Sequence, residues 1–446
     1  ACADRLPQLY LGSMILKSTG IWFMPKMIWS SMLRSGLISR EKPSMRSGKR
    51  RTGYFEEKPE LCYSGFGGFC RYDSAGIPSR ISGAAKGALE KLIEKGETYM
   101  SSENELNQTG FDAIAEAVQK LYPDQEGLYY GTVIPYVLGG NDPLDGVEIW
   151  KSGHGIPHWH YITYGFTELY EKESEDPEMS GYGFELTFRL KRGDEEQPPV
   201  WPVSLLQNLA RYVFSSGNVF GPGHHIDANG PIALETDTRL TALGFHIDPE
   251  LGELDTPNGR FMFLQAVGLT RDEMEAMMCW NGERFLSELE KEIPLCVTDL
   301  SRHSMMEIPA FRTAWQDGME RDGSFTSFLY MDELGAKLEN GHAALRLGTG
   351  HIQTLVRMLR ARVGKGRILF LQSASQAVLF RPGEQAAASE EDGRLVLTLP
   401  EDALEELSGV VGAHAGIYML SNLPLTVELV PTTITDQEGK VLEVIE

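Results

Sequence analysis

The chain has 446 residues, 42% of them hydrophobic, and a formal charge of −22. That length accommodates two or three domains of about 100–200 residues each, with ample apolar material for a core. So acidic a chain lacks the basic footprint that displaces phosphate counterions, which excludes nucleic acid as the expected partner and favours a basic protein.

Charge is unevenly placed. Residues 1–99 hold 16 Lys and Arg against 9 Asp and Glu, a net of +7, so the rest of the chain carries −29. The apolar stretch 9–33 is interrupted by Lys17, Gly20, Pro25 and Lys26, short of the roughly 18 residues of a membrane span. No clean cleavage site follows it, and residues 40–60 read as loop. Residues 1–99 are therefore expected to be basic and largely unstructured. Lys95-Gly96-Glu97 can be encoded as a bacterial ribosome-binding sequence just before Met100, so translation is expected to start there.

Regular patterns begin at Gly110. Phe111, Ile114, Ala115, Val118 and Leu121 share one helical stripe ending at Pro123. Residues 127–152 read as two strands around a turn rich in Gly, Asn, Asp and Pro, and "HWHYITYGF" as another. "GYGFELTFRLKRG" alternates strictly: Phe184, Leu186, Phe188 and Leu190 face one way, Glu185, Thr187 and Arg189 the other. A helix is expected over 201–217, buried through Leu205, Leu206, Leu209 and Val213, with Gly217 at its exit. "GRFMFLQAVGLT" is a strand, and 270–294 reads as helical up to Pro294. Residues 309–345 mix short patterns with Asp-Gly turns. A second unit then runs through a helix at 351–363, strands "RILFLQ" and "AVLFRP", a polar loop "GEQAAASEEDG", strand "RLVLTLP", a short helix and "LTVELVP". Irregular alternation without βαβ spacing predicts an α+β fold, each unit a mixed or antiparallel sheet packed with helices. The expected division is 1–99, 105–308, a connecting segment 309–345, and 346–446.

Two chemical readings compete around residues 157–190. His158 and His160 would share a strand face, and His224, His225 and Asp227 in "GPGHHID" could complete a metal shell. A zinc-dependent hydrolase using His158, His160, His224 and Asp227 is the alternative this supports, although HExxH is absent. The competing reading makes the histidines hydrogen-bonded packing residues. Nucleophilic catalysis finds less support: there is no Gly-x-Ser-x-Gly elbow, and Cys279 and Cys296 lie in apolar surroundings. The other cysteines, Cys2, Cys62 and Cys70, form no Cys-x-x-Cys, and such usage fits a reducing cytoplasm. What remains is a surface. Tyr164, Tyr170 and Tyr182 crowd an acidic loop containing Glu173, Asp176 and Glu178, and tyrosines are enriched at binding hot spots. These six residues are the candidate partner-binding set, with a protein or peptide as partner and no cofactor expected.

"HWHYITYGFTELY", "SGYGFELTFRL", "PPVWPVSLLQNLARYVFSSGNVFGPGHHID", "FLQAVGLT", "WNGERFLSEL" and "TDLSR", in that order, resemble the Suppressor of fused family. The resemblance runs from about Gly110 to Arg302 and extends weakly through "ERDGSF" into the second unit. It implies a two-lobed, non-enzymatic binding protein. In animal members the lobes close around a short peptide of Gli-type transcription factors, which adds as a β-strand. Bacterial relatives have been proposed as immunity proteins that neutralise polymorphic toxins by binding them, the role the start-site reading favours here. Tyr170 matches a tyrosine the animal members use in peptide binding. Asp176 matches an acidic partner approximately, with Glu178 competing for the place. The long insertion of the animal second lobe is missing.

Overall fold

The computed structural model describes residues 69–71, 107–132, 136, 140–412, 414–435 and 441–445. The first lobe is one sheet of nine strands. These are β1 (Phe69–Arg71), β2 (Leu128–Thr132), β3 (Gly146–Ser152), β4 (His158–Tyr164), β5 (Met179–Lys191), β6 (His225–Asp227), β7 (Leu240–Ile247), β8 (Glu253–Thr256) and β9 (Gly259–Thr270). Their spatial order is β1-β2-β3-β4-β5-β9-β7-β6, with β8 beside β9, and only β5 and β9 run parallel. β1 is the one described segment within residues 1–99, a stretch expected to be largely unstructured. The expected start at Met100 falls outside the described residues.

Both faces of this sheet are covered. Helix α1 (Thr109–Leu121) has Asp112 in its first turn and Lys120 in its last, matching the helix dipole. It lays Ile114 and Val118 against Ile162, Tyr164, Phe261 and Phe263. Helix α2 (Trp201–Ser216) begins with Pro202 in its first turn and exits through Gly217 in the left-handed region, as the sequence predicts. It packs Leu205, Leu206, Leu209 and Val213 against Tyr161, Phe184, Leu186 and Phe188 on the opposite face. The polar side of β5 is consequently not a solvent face: Glu185, Thr187 and Arg189 are fully buried.

The helical stretch expected over 270–294 is two helices, α3 (Arg271–Met278) and α4 (Gly282–Glu292). Thr270 and Glu273 form a capping box on α3, while the Asn281 side chain accepts from Arg284 N and starts α4 anew. Gly282 sits so close to the Gly223 carbonyl that a Cβ would lie 2.1 Å from it. Residues 309–345 are well structured, with helix α5 (Pro309–Asp322) followed by β10 (Phe328–Tyr330), β11 (Leu334–Glu339) and the start of β12 (His342–Gly348).

The second lobe adds α6 (Ile352–Arg362), β13 (Leu369–Gln372), β14 (Ala377–Pro382), β15 (Ala387–Glu391), β16 (Arg394–Leu399), α7 (Glu401–Val411), β17 (Gly416–Met419), β18 (Leu425–Val430), β19 (Thr432–Thr435) and β20 (Val441–Ile445). It contains two mixed sheets, β10-β13-β14-β16-β15 and β11-β12-β18-β17, plus the hairpin β19–β20. The polar loop expected at 383–393 is in part strand: β15 turns back onto β16 through Asp392-Gly393, both with positive φ. The core is continuous between lobes. Met277, Trp280, Phe285 and Trp315 belong to the same apolar cluster as Leu345, Leu355, Leu371 and Val427. Among the described residues no helix is long and apolar enough to cross a membrane.

Candidate functional site

His158 and His160 lie in β4, whose seven residues are all buried. His160 Nδ1 is hydrogen-bonded to Tyr122 Oη at 2.9 Å, and its Nε2 lies 3.3 Å from Asp248 Oδ2 but out of hydrogen-bonding alignment. The centre of this group is Arg189. Its guanidinium grips Asp248 through two bonds of 2.6 and 2.9 Å and also reaches Gln265 Oε1 at 2.6 Å and Glu250 Oε2 at 2.9 Å. Thr187 Oγ1 donates to the same Asp248 carboxylate. Burial alone would raise the Asp248 carboxyl, but Arg189 and these bonds hold it well below the usual range. Burial, followed by the nearby Arg189 charge, keeps the His160 imidazole below its ordinary value, and burial holds His158 at about 4.

His224, His225 and Asp227 stand at the other side of the sheet. β5, β9 and β7 separate β4 from β6, four spacings of about 4.8 Å each. Burial holds His224 at about 4 and His225 at about 3, while the Asp227 carboxylate accepts Asn229 N at 2.7 Å. The zinc set His158, His160, His224 and Asp227 therefore does not converge. Among the described residues no group of three or more His, Cys, Asp or Glu side chains is arranged to hold a metal. Pairing in sequence could not reveal this, because the separation arises from strand order.

The acidic loop is built around the carboxylate of Glu168, whose central place its sequence neighbours do not mark. Glu168 accepts from Lys172 Nζ at 2.7 Å and from the backbone N–H groups of Glu173, Ser174 and Gly181. Burial opposes ionisation here, yet Lys172 and these donors hold the Glu168 carboxyl at about 2. Asn258, in the turn between β8 and β9, donates to the carbonyls of Glu168 and Tyr170. Arg260 N donates to the Glu178 carbonyl, which ties down the far end. The turn before the loop is fixed by Glu185, which accepts from Thr163 Oγ1, Gly165 N, Thr167 N and Thr167 Oγ1 at 2.6–2.9 Å.

The loop thus presents its charges from a fixed frame. Glu173, Asp176 and Glu178 are exposed, flanked by Tyr170 at 39% and Met179 at 43% exposure. Tyr170 donates to Asp145 Oδ1 at 3.1 Å, and Tyr129 donates to Oδ2 of the same carboxylate at 2.8 Å. Burial first, then Asp145, raises the Tyr170 hydroxyl to about 12. Asp145 was not anticipated; a turn motif in the sequence gives no sign of which carboxylate a distant tyrosine will meet. Tyr164 requires correction as a surface residue. It is fully buried, with its hydroxyl donating to Glu148 Oε2 at 2.7 Å. Tyr182 is half-buried and turns towards α2, edge-on to Phe214 with ring centres 4.9 Å apart. The arrangement offers a pre-ordered acidic rim with aromatic and thioether surface, suited to gripping a cationic, partly apolar segment.

Known proteins share this architecture. Residues 140–303 match the family model described as Suppressor of fused protein (SUFU). The chain is 38% identical over 236 residues to the Suppressor of fused homologs of Homo sapiens and Mus musculus, covering 48% of this chain and 48% of each relative. It spans about half the length of these curated relatives. The crystal structure of Drosophila Suppressor of Fused superposes with a TM-score of 0.62 at 22% identity, covering 74% of this chain and 99% of that one, which shows the shared fold. Residues 140–303 thus carry a Suppressor of fused domain, and the chain is similar to Suppressor of fused homologs over about half its length.

Proposed function

We propose that this chain is a non-enzymatic protein-binding protein whose acidic rim takes a basic segment of its partner, and that it acts in the cytoplasm as an immunity protein neutralising a toxin. The observation that carries this reading is the frame around Glu168, which holds Glu173, Asp176 and Glu178 in solvent beside Tyr170 and Met179. A loop ordered before binding loses less conformational entropy when the partner docks. The formal charge of −22 adds long-range attraction for a basic protein and speeds encounter. A photo-crosslinking amino acid at position 173, in the native host, tests the site. A single basic protein captured there, and lost on Tyr170→Ala/Asp176→Ala, supports it; crosslinking that is absent or unchanged by the double substitution contradicts it. Co-expression separates the immunity role from other binding roles. The captured protein should arrest growth alone and be silenced by this chain.

A further inference from the structure

After residue 99, the acidity of the chain has its longest interruption in the second lobe. Between Glu339 and Glu384 there is no Asp or Glu, while Arg346, Arg357, Arg360, Arg362, Lys365, Arg367 and Arg381 fall in that interval. Five of these seven lie at 357–367, along α6 and just past its end. Cations in the last turn of a helix answer its dipole, which accounts for Arg360 and Arg362. Lys365 closes the short 3-10 turn Val363–Lys365 that continues α6, whereas Arg367 lies beyond both and has no such reason to be there.

The local geometry concentrates this charge. Arg362 Nη1 and Arg367 Nη1 both donate to the Ser324 carbonyl, each at 2.9 Å. Two guanidinium groups thus share one neutral acceptor. Burial, then the Arg367 charge, lowers Arg362 to about 10. Lys365 is drawn in beside them, its Cγ 3.0 Å from where a Cβ on Gly323 would sit. None of the ion pairs among the described residues involves Arg357, Arg360, Arg362, Lys365 or Arg367. The nearby Asp322 is already taken by Arg284, Arg321 and Trp280 Nε1. Apolar surface adjoins the charge: Phe325 is 50% exposed with the Arg367 guanidinium 4.5 Å above its ring, and Ile368 is 42% exposed.

From the uncompensated cations at Arg360, Lys365 and Arg367 beside exposed Phe325 and Ile368, we infer a second docking surface, which takes an acidic segment of a partner protein carrying an apolar side chain. Carboxylates of the segment pair with the free donors of Arg367, Lys365 and Arg360. Its apolar side chain covers Phe325 and Ile368. This surface has the opposite sign to the rim of the first lobe, so the two select different segments.

Selection of a random dodecapeptide display library on the full chain tests this. Sequences rich in Asp and Glu with at least one large apolar residue should be enriched. A fluorescein-labelled synthetic copy of the most enriched acidic peptide should bind at least about tenfold more weakly to Arg360→Glu/Lys365→Glu. It should bind with unchanged affinity to Tyr170→Ala/Asp176→Ala. Both reversed residues are exposed, and an unchanged circular dichroism spectrum verifies that the fold is retained. Several results would overturn the inference. These are enrichment no more acidic than the library, affinity indifferent to the charge reversal, or complete displacement by millimolar inorganic phosphate, which marks a simple anion site. Self-association in sedimentation that disappears in the charge-reversed variant would also overturn it, by making the occupant a second copy.

Discussion

Glu185 and Arg189 sit four positions apart on the same buried face of β5 and show how differently a charged residue can be accommodated there. Burial raises the Glu185 carboxyl to about 7 despite its four donors. The unfolded chain ionises this group near its ordinary value, whereas the folded chain keeps the proton until about pH 7. Over that interval the folded state binds more protons, so stability falls as pH rises, by up to about 3 kcal/mol. Glu185→Gln keeps an acceptor for Thr167 and Gly165 and offers Thr163 a donor. Urea unfolding of this variant at pH 5 and pH 7 should show a flatter pH dependence than the parent, and an identical slope would contradict the assignment. Arg189 is different because its charge is matched by Asp248 and Glu250. Arg189→Met strands both carboxylates and should cost about 3–5 kcal/mol, with part of the loss recovered in Arg189→Met/Asp248→Leu.

At the scale of elements, the middle of the loop from Glu168 to Gly181 is held by the Glu168 carboxylate while Asn258 and Arg260 pin its ends, so removing that carboxylate should loosen the loop and little else. Glu168→Ala is expected to speed amide exchange at Glu173, Ser174 and Gly181 by roughly tenfold or more, while β4 and the part of β5 from Phe184 onward keep their protection. Equal acceleration throughout the sheet would show that the loop is no separate unit. Much of the secondary structure was legible because local rules act alone there. Leu205, Leu209 and Gly217 mark α2, and the alternation from Phe184 to Leu190 marks β5. Asp392-Gly393 is an equally clear turn signal, but the sequence before it reads as a loop because β15 has little apolar character of its own and depends on β16 for pairing. The helix break at Asn281 was obscured by helical residues on both sides, and what enforces it is the approach of Gly223. The site was half legible. Exposure of Tyr170, Glu173, Asp176 and Glu178 follows from a polar loop, but the burial of Tyr164 depends on α1 closing over the second face of the sheet. The histidine pair looked like a metal shell only because sequence spacing does not tell how many strands intervene between β4 and β6.

Across the whole molecule, the lobes share one apolar cluster, in which Trp315 of α5 donates from its indole to the Ala276 carbonyl of α3 while packing with residues of the second lobe. Leu355→Ala, in the second lobe, should therefore cost about 2–5 kcal/mol and lower the exchange protection of α3 and α4 as well. Destabilisation confined to residues after 345 would mean the lobes are energetically independent. The acidic rim adjoins the cluster of Tyr164 and Leu169, and the basic surface adjoins the shared core at α6, so one chain presents surfaces of opposite charge. The central claim concerns the rim. Its most direct test is the Kd of the partner captured at position 173, measured for the parent chain and for Tyr170→Ala/Asp176→Ala. A weakening of roughly thirtyfold or more with an unchanged melting temperature is predicted, whereas an unchanged Kd would contradict the account.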